Sequence, residues 1–407
     1  MQARLNMAWI LLIAAAGAFT LLYIWFTLFP GKVAPETLQF FSMEQVSRGR
    51  EYYQVQRLVF ITAFASESAF LIWIFFRGHA ASLSRWAQYV TGSYWGGVLA
   101  LFLALWILLK FINLPFSLFG GYYWQHRWGF STQALGSWWI DYIKWAGLEL
   151  ALSSAGAILL FWLMSRWPKA WWVAGALLFS LWLLIQSYLW PVVVSPLFNR
   201  FEPAKDPAVV SMVGELSRKA RLPVDQVLIM DASQRTTKAN AYFTGLGKTK
   251  RIVLYDTLLA NYPPDQVKAV VAHEMAHWSR GHIVKGLLMG TLGTFFAWGL
   301  LFLILKSTLP VPGRYPPHAW AAVLLFFLLV SFLSSPLQNH ISRNMEKEAD
   351  RVAVELTGDI PAATRLQVNL STKNLSDVSP HPFIRWFSYS HPPAPERIKN
   401  IMVSGKA

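Results

Sequence analysis

The stretch Pro263-Pro264-Asp265-Gln266-Val267-Lys268-Ala269-Val270-Val271-Ala272-His273-Glu274-Met275-Ala276-His277-Trp278 decides how this chain is read. A proline pair followed by an acidic residue opens a helix, predicted from Asp265 to about Arg280. Val267, Val270, Val271, Met275 and Trp278 recur at three- and four-residue steps and give that helix one apolar face. His273 and His277, four positions apart, then stand one above the other, and both imidazoles can reach one zinc ion. Glu274, rotated one position toward the substrate side, can take a proton from a metal-activated water and pass it to the leaving amine of a peptide. A mere metal-binding scaffold has no use for such a base, so the pattern encodes peptide hydrolysis.

Zinc needs a third protein ligand, and His282, His340 and Glu346 are in view. His282, nine residues past His273, points to the opposite side of a continuous helix unless Gly281 breaks it. A metzincin would need Gly at 280 and His at 283, where the chain has Arg280 and Ile283. A glutamate on a second helix becomes the expectation. Glu346-Lys347-Glu348-Ala349-Asp350 supplies it, with Glu346 binding the zinc and Asp350, on the same helical face, orienting a ligand histidine. Glu348, at about 200° from Glu346, should point away.

Around this site the chain is threaded through a membrane. With 55% apolar and 14% charged residues in 407, it is more hydrophobic than soluble domains are. Runs long enough to cross about 30 Å of hydrocarbon lie near residues 7–29, 58–76, 92–113, 147–165, 171–194, 284–306 and 319–338. The first follows Arg4, lacks a small-residue cleavage site before Gly31, and reads as a retained span. Glu149 with Ser153-Ser154 dilutes the fourth and Glu67 sits in the second; ionisable groups at such depth should face protein or water. The 21 tryptophans and 14 tyrosines supply interfacial belts. The formal charge of +15 is dispersed between uncharged runs, which suits topology and anionic lipid and argues against nucleic acid. No cysteine is present, excluding disulfides, thiolate nucleophiles and cysteine metal ligands.

These patterns divide the chain into an N-terminal membrane region with five spans (1–194), a catalytic module with the zinc-binding helix (195–282), two further spans (283–340) and a C-terminal part of the catalytic module (341–407). In the first polar segment Asp206-Pro207 opens a helix to about Arg221, Gln226 to Met230 reads as a strand, and Tyr242-Phe243 and Arg251 to Tyr255 as two more joined around Gly245 to Lys250. Two spans separate His277 from Glu346, which returns both to one side of the membrane.

The chain resembles the type I, seven-span CAAX prenyl protease family, glutamate-ligand zinc peptidases that trim prenylated proteins. The matching residues are Ser47-Arg48 with Tyr52-Tyr53, Trp128-Gly129-Phe130, Ser195-Pro196-Leu197-Phe198-Asn199, Asn240-Ala241-Tyr242-Phe243, Arg251 to Asp256, the His273 to His277 motif, Ser342-Arg343 with Glu346 and Asp350, and His391-Pro392-Pro393 with Glu396-Arg397. The resemblance implies a mostly α polytopic fold, its spans enclosing a water-filled chamber, with a zincin-like module holding a small β-sheet. It implies one Zn2+ per chain held by His273, His277 and Glu346, with Glu274 as base and Asp350 behind a ligand. Asn240 and Ala241 would bind substrate as an added strand, and His391 and Arg397 would donate hydrogen bonds to the oxyanion. Peptides or prenylated proteins are the implied substrates, with lipid as surroundings; oligomeric state is left open.

The chain ends Val403-Ser404-Gly405-Lys406-Ala407, without the dibasic reticulum signal of some members, so a bacterial inner membrane and the endoplasmic reticulum both stay open as hosts. In a bacterial setting, quality control of membrane proteins becomes the alternative role. A transporter or channel would show paired inverted repeats and Gly/Pro-broken helices, and neither is present. The loops around 30–57 and 114–146, with Lys32, Arg48, Arg50, Arg57, Arg127 and Lys144, share a side with the catalytic residues; that side is predicted to be cytoplasmic, with the N-terminus outside.

Overall fold

The computed structural model describes residues 4–244, 250–309 and 314–404. Of the expected sheet connection only Lys250 is among them, and Gly405 to Ala407 lie outside. The N-terminal half is helical: α1 (Met7–Leu28), α2 (Met43–Phe76), a short α3 (His79–Thr91), α4 (Tyr94–Arg127), α5 (Leu135–Arg166) and α6 (Trp171–Leu197). The first polar segment folds as β1 (Phe201–Pro203), α7 (Pro207–Ala220), β2 (Gln226–Met230), β3 (Ala241–Thr244), β4 (Arg251–Tyr255), α8 (Asp256–Asn261) and α9 (Pro264–Ser279). Two long helices follow, α10 (His282–Thr308) and α11 (Ala319–Thr357), then α12 (Ile360–Lys373), α13 (Pro382–Ser388) and α14 (Ala394–Ser404). Seven of these, α1, α2, α4, α5, α6, α10 and α11, are long and apolar enough to cross a membrane, as the hydropathy runs predict.

Several of the helices outrun the apolar stretches that announce them. α2 begins at Met43, where Ser42 and Gln45 form a reciprocal capping box, well before the apolar run near 58. α11 continues through Pro336 and stops only at Gly358, which takes the left-handed conformation at φ 67°. Hydropathy marks the lipid-facing length alone; the same rods carry on into the catalytic region, where charge replaces apolarity. The glutamates at depth have partners: Asn113 donates to Glu67 (3.1 Å), and Lys110 pairs with Glu149 at 2.6 Å.

The four strands form one sheet in the order β1-β2-β4-β3, with β2 and β4 parallel and both outer pairs antiparallel. One face is covered by α9, whose Val267, Val270, Val271 and Met275 are buried as the periodicity requires, with α7 and α12 closing the same core. β3 is an edge strand. The two halves are strapped together: Thr237 N–H donates to the Phe130 carbonyl and Thr132 N–H to the Arg235 carbonyl, around a bridge between Ser131 and Thr236. A buried ion pair, Arg57 to Asp377 at 2.7 Å, ties α2 to the C-terminal segment, and Arg57 also donates to the Tyr389 hydroxyl (2.7 Å).

Candidate metal centre

α9 presents His273 and His277 on one face, and α11 brings Glu346 against them. The two histidine Nε2 atoms stand 3.1 Å apart; His273 Nε2 is 3.2 Å from Glu346 Oε2, and His277 Nε2 is 3.2 Å from Glu346 Oε1. A tetrahedral zinc site with bonds of about 2.0–2.1 Å has ligand-to-ligand edges of roughly 3.3 Å, so the triangle matches. One proton on either Nε2 serves the 3.1 Å contact between the imidazoles or the contact to Glu346, not both, so the buried carboxylate and the two nitrogens share too few protons to satisfy one another. A divalent cation would satisfy all three, and the three residues fit one.

The supporting groups fix which nitrogen faces the centre. Asp350, one turn beyond Glu346 and buried, holds His273 Nδ1 at 3.0 Å. The guanidinium of Arg397, from α14, grips Asp350 in turn, through Nε at 2.8 Å and Nη2 at 2.5 Å, and lies 3.8 Å from Glu346 Oε2. Without metal, burial works against a charge on His273, but its hydrogen bonds to Asp350 and Glu346 carry the imidazole up to about 9. Burial pushes the Glu274 carboxyl above its ordinary range. His391, half-exposed, places Nε2 3.3 Å from Glu346 Oε1.

The structure brings together the residues that the sequence singles out. Asn240, Ala241, His273, Glu274, Asp350, His391 and Arg397 line one cavity of about 140 Å³. Tyr255 N–H donates to the Asn240 carbonyl, and Ala241 pairs with Leu254. By the alternation of an antiparallel ladder, the N–H and C=O of Ala241 therefore face away from β4, toward the open edge. The Asn240 side chain covers that N–H at 2.9 Å. Two larger cavities, of about 550 and 770 Å³, adjoin each other between the spans and the sheet and share Trp190, Ser195 and Asn199.

Two residues were not assigned chemistry from the sequence. Gly281 does break the helix, at φ 65°, yet His282 does not join the centre. Its Nδ1 lies 2.9 Å from His277 Nδ1, and its Nε2 lies 3.2 Å from Glu348 Oε2. Glu348 points away from the centre, as its angle on the helix requires, but it ends a chain that reaches back through His282 to His277. The signal available beforehand was the glycine at the helix junction with a histidine directly after it.

Residues 203–403 match peptidase family M48, and residues 30–200 match the family described as CAAX prenyl protease N-terminal, five membrane helices. An uncharacterized metalloprotease, YhfN, of Bacillus subtilis is 28% identical over 95% of this chain and 96% of its own. CAAX prenyl protease 1 of Saccharomyces cerevisiae is 31% identical over 72% of this chain and 69% of its own. The crystal structure of S. mikatae Ste24p superposes with a TM-score of 0.84 at 25% identity, covering 98% of this chain and all of that one. Matched in order through both its membrane half and its catalytic half, the chain belongs to peptidase family M48 and is a membrane-spanning metalloendopeptidase.

Proposed function

We propose that the chain is a zinc endopeptidase that cuts near the C-terminus of CAAX-type prenylated substrates, on the cytoplasmic side of its membrane. The observation that carries this reading is that Glu274, the edge of β3 and His273 line one cavity, with His277 and Glu346 completing a histidine-histidine-glutamate cluster around His273. His273, His277 and Glu346 would hold the ion, a donor set of nitrogen and oxygen that suits zinc. When bound, zinc supplies Lewis acidity and lowers the pKa of water at the site.

The chain's own residues do the rest. The Ala241 C=O, and its N–H once the Asn240 side chain that covers it swings away, fix the register of an extended peptide. Glu274, made more basic by burial, takes the proton of the attacking water and returns it to the departing amine. His391 donates to the developing oxyanion, with the Arg397 cation beside it. Asp350 orients His273 and is itself held ionised by Arg397. The cytoplasmic assignment has support in the loops that carry Lys32, Arg50 and Arg127. They lie on the side of the catalytic residues: Arg50 donates to the Gly31 and Ser379 carbonyls, and the 130–132 segment joins 235–237. The prenyl preference rests on the names of the yeast and plant relatives.

The test is cleavage of a farnesylated CAAX peptide and its unprenylated twin by purified protein, with Glu274→Gln as control and metal content assayed. Cutting of the prenylated peptide alone supports the reading. Equal cutting of both would replace it with a general membrane protease, and a fully active Glu274→Gln would overturn the mechanism.

A further inference from the structure

The edge of β3 does not stay open along its whole approach. Upstream of Asn240, residues 235–237 are already paired with 130–132, so a peptide laid along the edge from Ala241 meets that segment just beyond Lys238. Lys238 lies three positions before Ala241, about 10 Å of extended chain.

Lys238 is fixed at this closed end. Its N–H donates to Thr236 Oγ1 (3.1 Å), and its carbonyl accepts from Thr257 Oγ1 (2.9 Å). Its ammonium donates to the Tyr52 hydroxyl at 2.9 Å and lies 4.3 Å from the centre of the Phe130 ring and 4.9 Å from that of Tyr52. Among the described residues it makes no ion pair, and burial alone pushes it down to about 8, still a cation at neutral pH. Two of its three N–H groups have no partner among the described residues. A half-buried cation with open donors, three positions before the β3 edge strand begins, calls for an anion.

We propose that the Lys238 ammonium, with Tyr52 and Phe130 around it, binds the free C-terminal carboxylate of the peptide substrate. The proposal rests on the reading of the chain as a protease acting near substrate C-termini. It also sets the direction of the substrate. An antiparallel peptide runs its C-terminus toward Lys238, whereas a parallel one would run the body of the substrate into the closed end. The closed edge then measures the cut: the scissile bond lies near Ala241, and only a short C-terminal fragment fits between it and Lys238. Tyr52 and Phe130, sequence features with no place in the metal chemistry, acquire a role as the walls of this site.

Binding to full-length Glu274→Gln protein reads the carboxylate site without turnover. The probes are a farnesylated CAAX peptide with a free C-terminus and the same peptide as its C-terminal amide. The free acid should bind at least about tenfold more tightly, the worth of a hydrogen bond to a charged group. In Glu274→Gln/Lys238→Met the two peptides should bind alike, at the amide's affinity, and Lys238→Arg should restore part of the difference. Equal binding of acid and amide to the Glu274→Gln protein, which needs no change at Lys238, overturns the proposal. So does an acid preference that survives Lys238→Met. Failure of wild type to cut either peptide strikes the protease reading instead, while the acid-to-amide ratio still decides the role of Lys238.

Discussion

Removing the acceptor behind His277 should loosen the metal without touching a ligand. With His277 holding the metal through Nε2, as proposed, its Nδ1 would carry the proton and donate to His282 Nδ1 at 2.9 Å. His282 must then be protonated on Nε2, which faces Glu348 Oε2 at 3.2 Å; the glutamate selects the tautomer that can accept from His277. His282→Ala leaves a partly buried Nδ1–H without its partner. The cost is about 1–2 kcal/mol, because the His277 side chain keeps 22% of its exposure and water can replace some of the loss. That is roughly a tenfold fall in metal affinity. Glu348→Ala should cost less, a few-fold by the same reasoning, since it leaves His282 in place and Glu348 is one-third exposed beside Arg280 and Lys285. His282→Gln should recover part of the loss, because an amide oxygen also accepts. The assay is competition for zinc against a chromophoric chelator, on detergent-purified protein checked for its thermal midpoint. An unchanged affinity in folded His282→Ala, or a larger effect from Glu348→Ala than from His282→Ala, would refute the chain of hydrogen bonds.

Three further outcomes are expected. Because metal-free His273 holds its proton up to about 9, zinc affinity should climb with pH and level off near that value, and zinc uptake at pH 7 should release a proton, measurable by calorimetry in buffers of different ionisation enthalpy. The preference for a free C-terminus should be full well below about pH 8, be half lost near it and fade above it, as Lys238 loses its charge; the acid-to-amide ratio of kcat/KM across pH 6 to 10 reports this, with the Tyr52 hydroxyl the one titratable side chain bonded to the ammonium among the described residues. Asp377→Asn strands the buried Arg57 cation and should destabilise the protein by roughly 3–5 kcal/mol, seen as a lowered thermal midpoint in detergent, with zinc content at low temperature retained.

The parts legible in the sequence are those written in local periodicity. The helix of His273 and His277 and the shared face of Glu346 and Asp350 follow from three- and four-residue steps, and the strands at 226–230 and 251–255 and the seven spans from short and long continuous apolar runs. The grip of Arg397 on Asp350 crosses 47 positions, and His282 finds Glu348 across 66. No repeat encodes such meetings; they depend on how helices cross. The closure of the β3 edge is less visible still, since 130–132 carries no strand pattern and joins residues some 100 positions away through a few backbone bonds.

How α9 and α11 cross is what turns two readable motifs into one centre. Ala276 and Ala349 are fully buried against each other with Val352, inside the same turns that carry His277 and Glu346. Interaxial distance is set by the side chains at the contact, and alanines allow the near end of the 8–10 Å range. Glutamate and histidine side chains are short enough that the two 3.2 Å edges from Glu346 to His273 and His277 exist only at such close approach. α11 is also the last span, one rod from Ala319 to Thr357. Glu346 therefore reaches His273 and His277 only when that rod has been threaded and packed, which makes assembly of the cluster a consequence of completing the membrane fold rather than a property of a separable soluble domain.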